Sequence, residues 1–502
     1  MKPIKVIIAL IVVAIVAFAA YYFYAHQVDI EDIEVSSPNN LPLNAAIQVK
    51  LNKAEALYVE YWKEGERQSY KTTVSSAAAQ HNIQLMTLEP NTSYKFRVII
   101  DRIIPIKSSE QSFKTRPQSP WMVHDWIKAD HPHDEKALGN GMVLLCYRGF
   151  PGYMAMVDGK GTIRWYWQDE KLGVRLASLT PRGTILALLA PASKDEFNKP
   201  NQPSKKSTNA SYYLRSGRIG FVGGTVLVEI DLTGKEIARI DLDKKGIIMH
   251  HDVQMDGNNN IVGIVRDFRI DDRPNHPKDT LWGDAILTMD TQGNILKKWS
   301  PWEKWDIQKD KKLDSLKHDR FHLNTISFDR DNNYLTSSPI ENQVWKIDAK
   351  TGDILWKLGK GGDYKLKDEE LFYFQHAPHI TKTGELLLFD NGDFSPRDST
   401  TANKQSRAIA FNLDQKNKTA TLAYAAPIPK KQFTARMGSA YELDNGNLLQ
   451  TSSKTGSVLV TEDREGALGI KRLFYSLSRY LCTRGNLAQI QTKLGEDVRN
   501  KT

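Results

Sequence analysis

Residues 344–359 read VWKIDAKTGDILWKLG: an apolar strand, a polar turn from Asp348 to Gly352, and a second strand carrying Trp356 near its end. Two strand-type runs joined by a short Asp/Gly turn are the pattern of a β-hairpin. The pattern recurs as MAMVDGKGTIRWYW (Asp158, Gly161, Trp165), LVEIDLTGKEIARIDL (Asp231, Gly234) and ILTMDTQGNILKKWS (Asp290, Gly293, Trp299). Two weaker copies, AIAFNLDQKNKTATLAY (Asp414) and VLVTEDREGALGIKRLFY (Asp463, Gly466), bring the count to six.

Upstream of the hairpins a second unit repeats: RLASLTPRGTILALL, HDVQMDGNNNIVGIV, LNTISFDRDNNYLTSS, PHITKTGELLLFDNG and SAYELDNGNLLQTSS, with a degenerate first version in ALGNGMVLLCYRG. Strand–turn–strand followed by a hairpin is one four-stranded blade, and six of them predict an all-β, six-bladed β-propeller over residues 120–482. The tryptophans at the hairpin ends are expected in the core between blades.

The chain of 502 residues has ordinary globular composition, and its net charge of +9 is spread along the sequence. It shows no basic, aromatic-interleaved nucleic-acid motif, so no nucleic-acid partner is expected. Lys2 and Lys5 precede an uncharged apolar run over residues 6–25, long enough to span a bilayer as a helix. With the positive charges inside, residues 1–27 read as a transmembrane signal anchor that leaves the rest periplasmic at the inner membrane. A cleaved signal peptide, with a small-x-small site at Ala17 and Ala19, is the rival reading. Residues 28–116 alternate with period two and carry a Leu-x-Pro-x-Thr-x-Tyr word over residues 88–94, which predicts a small β-sandwich of fibronectin type III character. Residues 483–502 form a C-terminal tail. The two cysteines, Cys146 and Cys482, could pair as a disulfide or remain two buried thiols.

A propeller's innermost strands surround one axis, so residues at equivalent strand starts converge there. Aligned on their turns, the units place Arg175, His251, Asn324, His376 and Ser439 in register, with His322 on the face of Asn324 and Arg436 close to Ser439. An apolar or small residue at each place would satisfy a structural need alone, so this set suggests an oxyanion site. In an unbroken strand His250 points away from His251 and is expected at the solvent side. The word HPHDE at residues 131–135 reads as a solvated loop. No phosphate loop, dinucleotide fingerprint or Gly-x-Ser-x-Gly elbow is present, and neither cofactor nor metal is expected.

The words HHD at residues 250–252, QHAPH with LLLFDNGD over residues 375–393, and GSAYELDNGN over residues 438–447 resemble the bacterial arylsulfate sulfotransferase family. The resemblance implies transfer of a sulfuryl group from an aryl sulfate to a phenol without a nucleotide donor. It makes His251 and His376 catalytic, and it makes Arg397, the arginine after DNGD, an oxyanion ligand with Arg407 as substitute. His322, Asn324, Arg175, Arg436 and Ser439 are then substrate-binding. One departure stands out. The family's sulfated histidine lies in the last blade, and no histidine follows His379 here; the corresponding LQTSSKTGSVLV offers Thr451, Ser452, Ser453, Lys454 and Ser457. Another histidine could be the nucleophile, donor and acceptor could react directly, or the protein could bind an anion without turnover. From another class, the DAKTGDILWKLG word is similar to repeats of noncatalytic periplasmic scaffolds and of quinoprotein dehydrogenases.

Overall fold

The computed structural model describes residues 2–25, 27–37, 41–118, 128–129, 135–139, 141–147, 152–191, 223–316, 319–396, 404–462, 470–475 and 481–483. The chain divides into two compact units, Met1–Gln118 with Lys493–Thr502, and Ser119–Thr492.

In the first unit, Lys2–Ala25 is a 24-residue helix. Its side chains are described at Ile7 and from Leu10 to Tyr24, and among the described residues no helix is long and apolar enough to cross a membrane. The helix's end meets the β-structure where the Arg102 guanidinium lies 4.0 Å over the Tyr24 ring. Two antiparallel sheets follow, one of Ile30–Ser36, Ala45–Glu55 and Ala78–Leu85, the other centred on Leu57–Lys63 and Ser93–Ile100. Their apolar residues share one core, including Ile47, Val59, Phe96 and Val98. The Leu-x-Pro-x-Thr-x-Tyr word forms a tyrosine corner, in which Glu89 N–H donates to the Tyr94 hydroxyl at 3.0 Å.

Among the described residues the second unit forms six antiparallel sheets in chain order. The second is Leu172–Leu179, Ile185–Pro191, Val226–Ile230 and Glu236–Asp241. The third is Met249–Met255, Ile261–Ile270, Thr280–Met289 and Ile295–Trp299, with Gly223–Gly224 on its edge. The fourth is Thr325–Phe328, Tyr334–Ser338, Gln343–Ile347 and Ile354–Gly359. The fifth is His376–Ile380, Leu386–Asp390, Arg407–Asp414 and Thr419–Pro427. The sixth is Ser439–Glu442, Leu448–Ser452, Ser457–Thr461 and Ile470–Tyr475, with Lys128–Ala129 on its outer edge. From the second sheet to the sixth, the first strand of each adjoins the first strand of the next.

The first sheet explains its degenerate repeat. Met142–Tyr147, Tyr153–Asp158 and Ile163–Trp167 are three of its strands, and the place beside Met142–Tyr147 is taken by Leu481–Thr483 from the far end of the unit. The residues just upstream include a short 3₁₀ turn, Glu135–Leu138, instead of a strand.

Two bonding patterns account for the recurring letters. In the hairpin turns of the first five sheets the aspartate folds back on its own backbone: Asp290 Oδ1, for example, accepts from Gln292 N–H at 2.9 Å and Asn294 N–H at 2.8 Å, while Asp463 lies outside the described residues. The tryptophans tie one sheet to the next. Trp165 Nε1 donates to Leu232 O at 3.0 Å, Trp299 Nε1 to Gly352 O at 2.7 Å, and Trp356 Nε1 to Gln415 Oε1 at 3.3 Å, each acceptor lying in the following sheet's hairpin turn. Gly352 has φ of +77° and a Cβ there would come within 2.8 Å of Trp299 Cδ1, so both its conformation and its neighbour require glycine. Trp299→Ala is expected to lower the unfolding free energy by about 3–5 kcal/mol. Trp299→Phe, which keeps a ring and loses the N–H, should cost about 1–3 kcal/mol; urea unfolding of the detergent-solubilised chain measures both.

Candidate functional site

The first strands begin irregularly. Pairing register shifts between Val174 and Leu176, between His250 and Val253, and between His376 and His379. Left-handed φ values stand at His251 (57°), His322 (49°), Ala377 (55°) and Met437 (57°), so the distortion recurs in four consecutive sheets. Such a conformation costs roughly 1–3 kcal/mol in a non-glycine residue, and a bulge re-aims the side chains beside it.

This overturns the expectation for His250. The bulge cancels the alternation of an unbroken strand, and His250 is fully buried against its neighbour. Nδ1 of His250 lies 2.5 Å from Nδ1 of His251, and the His251 ring stands 4.9 Å from the His322 ring. His322 Nδ1 lies 2.5 Å from Asp319 Oδ2. Arg266 Nη1 bridges Asp319 Oδ1 at 2.9 Å and Asp284 Oδ1 at 2.7 Å. His250 Nε2 lies 3.2 Å from Asp284 Oδ1, near enough for attraction but off the line of a good hydrogen bond. Six side chains from the third sheet and the stretch leading into the fourth thus form a closed loop, in which His322, Asp319, Arg266 and Asp284 alternate in charge.

The loop sets its own protonation. Burial disfavours a charge on His322, but the Asp319 hydrogen bond and charge outweigh it, and the imidazole is held above its ordinary value. For His250 burial comes first and the Arg266 charge adds to it, so this imidazole is pushed below its ordinary value despite Asp284. Burial also works against Asp319 and Asp284, yet His322 and Arg266 hold the first ionised, and Arg266 and His250 the second. Two facing Nδ1 atoms need one proton between them. With Asp284 favouring a proton on His250 Nε2, His251 supplies the Nδ1–H.

His376 is set by a second group. Its Nδ1 lies 2.8 Å from Asn391 Oδ1 and 3.0 Å from Phe374 O, two acceptors that require Nδ1–H. Its Nε2 accepts Met437 N–H at 3.2 Å, which requires the lone pair. The orientation of the Asn391 amide is fixed because its Nδ2 donates to Thr434 O at 2.8 Å and Met437 O at 2.7 Å. The surrounding word acts as its frame. Gln375 Nε2 donates to Ser337 Oγ, Ser338 O and Gln343 O, while Asp390 accepts from Tyr373 N–H, Gly392 N–H and Arg407 Nε.

The remaining sequence candidates are placed differently. Asn324 is buried, with Nδ2 donating to Gln375 O at 3.0 Å, so it joins the fourth sheet to the fifth beside His376. Arg175 is fully buried, its guanidinium bonded to Pro191 O and Val174 O. Ser439 is buried and bonds Thr451 Oγ1 within its own sheet at 2.8 Å. Arg436 is exposed. Arg407 is anchored to Asp390 and to Glu369 O and Leu371 O, and Arg397 lies outside the described residues. Of LQTSSKTGSVLV, Ser452 and Ser457 are buried and accept from Thr455 Oγ1. HPHDE lies outside the described residues apart from Glu135. Among the described residues no group of three or more His, Cys, Asp or Glu side chains could hold a metal ion.

The reading of the individual residues left out Asp319, Asp284, Arg266 and Asn391. Asn391 sat inside the FDNGD word, and Asp319 precedes His322 by three residues; nothing local marks Arg266. Farther along the first strands a cavity of about 320 Å³ is lined by Leu179, Gln254, Ser327, His379 and Tyr441, one from each of the second to sixth sheets.

An all-β protein of repeated antiparallel sheets, with tautomer-fixed histidines at the starts of adjoining strands, is the class these observations define. The arylsulfotransferase (ASST) family profile matches residues 128–473, more than half of the chain, and the chain belongs to that family. Among curated proteins none matches significantly. Similar solved structures include a Bacteroides caccae protein of unknown function, at 12% identity and TM-score 0.38, covering 68% of this chain and 98% of that one. Another is a catalytically inactive virginiamycin B lyase from Staphylococcus aureus with quinupristin, at 10% identity and TM-score 0.32, covering 79% and 96%. Likenesses this slight carry no argument about this chain.

The two histidines make opposite contributions to pH stability. His322, raised above its unfolded value near 6.5, stabilises fully below that pH and loses its contribution as pH rises through its folded value. His250, depressed, stabilises above about 6.5 and loses its contribution as pH falls toward its folded value. Asp319→Asn is therefore expected to lower the His322 pKa toward or below 6.5, read from the imidazole carbon proton by NMR titration. An unchanged titration would remove Asp319 from this role.

Proposed function

We propose that this chain is a nucleotide-independent arylsulfate sulfotransferase, moving a sulfuryl group from an aryl sulfate to a phenolic acceptor. In this reading the six sheets are the blades of a six-bladed β-propeller, and the cavity lined by five first strands supports a central channel. The first unit is a fibronectin III-like sandwich behind a transmembrane anchor over residues 6–25, which holds the enzyme at the inner membrane facing the periplasm. The uncharged sequence of that run supports the anchor.

The observation that carries the chemistry is the fixed tautomer of His376. A sulfuryl acceptor needs an imidazole lone pair, and Asn391 with Phe374 O holds the proton on the opposite nitrogen. His376 thus takes the nucleophilic role that the last sheet, without histidine, does not supply; through Met437 N–H it already touches the segment leading into that sheet. Nε2 gives up the Met437 N–H, attacks sulfur with that lone pair, the S–O(aryl) bond breaks, and its electron pair leaves on the phenolate. His322, kept charged by Asp319, protonates that oxygen. The acceptor phenol then attacks the N-sulfo group, the N–S electron pair returns to Nε2, and the phenol proton passes to His322. Asn391 and Phe374 O stabilise the charge that grows on the ring while sulfur is attached, and His251 Nε2 stands beside His322 to relay or accept a proton.

Incubation of the purified chain with 4-nitrophenyl sulfate should release about one equivalent of 4-nitrophenolate per chain, with continued turnover only when a phenol acceptor is added. His376→Ala should lower that rate by about 10³-fold or more, and Asn391→Ala by about 10–100-fold. Absence of turnover across several aryl sulfates, from a chain with cooperative unfolding, would favour the noncatalytic scaffold.

A further inference from the structure

The chain has two cysteines, and the fold sets them opposite each other. Leu481–Thr483 pairs antiparallel with Met142–Tyr147, and within that pairing Cys146 and Cys482 are direct cross-strand partners. We infer that Cys146 and Cys482 form a disulfide that locks the last strand of the six-sheet unit onto its first sheet. Directly opposed residues on antiparallel strands have Cα atoms about 4.5–5.5 Å apart, inside the range a disulfide spans.

The location gives the bond its purpose. The six-sheet unit is closed at two places by short strands from its two ends. Lys128–Ala129 pairs with Ile470–Tyr475 of the sixth sheet, and Leu481–Thr483 fills the open edge of the first sheet. The first of these closing strands has 2 residues and the other 3, so each offers few backbone hydrogen bonds. Strands this short fray readily, whereas a covalent bond closing more than three hundred residues removes a large loop entropy from the unfolded chain. Cys146 is itself buried at 3% exposure, which shields a bond at this place from reductants.

Formation is a two-electron oxidation. The two thiols give up two protons and two electrons as the S–S bond forms, and a thiol–disulfide oxidoreductase is reduced to its dithiol, or in vitro glutathione disulfide to two glutathione thiols. An exported chain meets such an oxidant. The inference does not depend on sulfuryl transfer.

The test incubates the full chain, folded in detergent, with oxidised glutathione, removes the reagent and unfolds the protein in the presence of a maleimide. The expected result is no maleimide addition, together with a single peptide pair linked through Cys146 and Cys482 in the mass spectrum. Dithiothreitol should then lower the thermal midpoint by about 5–10 °C. Cys482→Ser should start at that lower midpoint and not respond to dithiothreitol. Maleimide on both cysteines, glutathione attached to either one, or a bond between two chains would overturn the inference. The thiol count needs no variant, so it stands even if Cys146→Ser fails to fold.

Discussion

In the second, fourth, fifth and sixth sheets the first strand is an edge strand, and in the third only Met249 and His250 are covered, by Gly223–Gly224; the outward N–H and C=O groups left over must find partners if they are buried. Here the partners come from the neighbouring sheet. Ser178 Oγ donates to Val253 O at 2.6 Å, Asp252 Oδ2 accepts Ile326 N–H at 2.7 Å, and Ser327 Oγ donates to Pro378 O at 2.6 Å. Thr325 Oγ1 accepts Ala377 N–H at 3.0 Å, and Asn391 Nδ2 reaches Met437 O. Polar side chains at each of these seams satisfy what sheet pairing cannot, three of them, Asn324, Thr325 and Ser327, at the seam between the fourth and fifth sheets.

That constraint corrects a premise of the sequence argument. Apolar or small residues would not meet the structural need at these strand starts, because the seams themselves require hydrogen-bonding groups. Asn324 is engaged in this way, whereas Ser439 and Arg175 bond within their own sheets. The histidines differ. His251, His322 and His376 remain partly exposed; Nδ1 of each ring is held by a side chain, and Nε2 of His376 also accepts Met437 N–H. A ring with one nitrogen fixed can present the other to a ligand in a known protonation state.

Strain and charge then act together. The left-handed residues at His251, His322, Ala377 and Met437 hold unfavourable backbone conformations where the strands begin, and the seam bonds and buried carboxylates keep them there. Arg266 is the hinge of the electrostatics. It balances two carboxylates, which in turn hold one imidazole charged, while its own charge helps keep another neutral. Neither state would persist for these rings in water, where both would titrate near the same pH.

The hairpin repeat was legible in the sequence because it is local. An aspartate that must accept two nearby N–H groups, a glycine at positive φ and strands of period two leave their marks within fifteen or so residues. Five of the six full units could be read this way, and the first could not, since its fourth strand is contributed from residue 481 onward. His251 and His376 were also visible, because register within a repeat is a sequence property. What the sequence did not carry was the direction and protonation of those side chains. A bulge turns His250 inward, Asn391 selects the tautomer of His376 from fifteen residues away, and Asp319, itself held ionised by Arg266 of the third sheet, favours the charge on His322. Those outcomes depend on distances through space and on removal from water, and only the assembled sheets supply both.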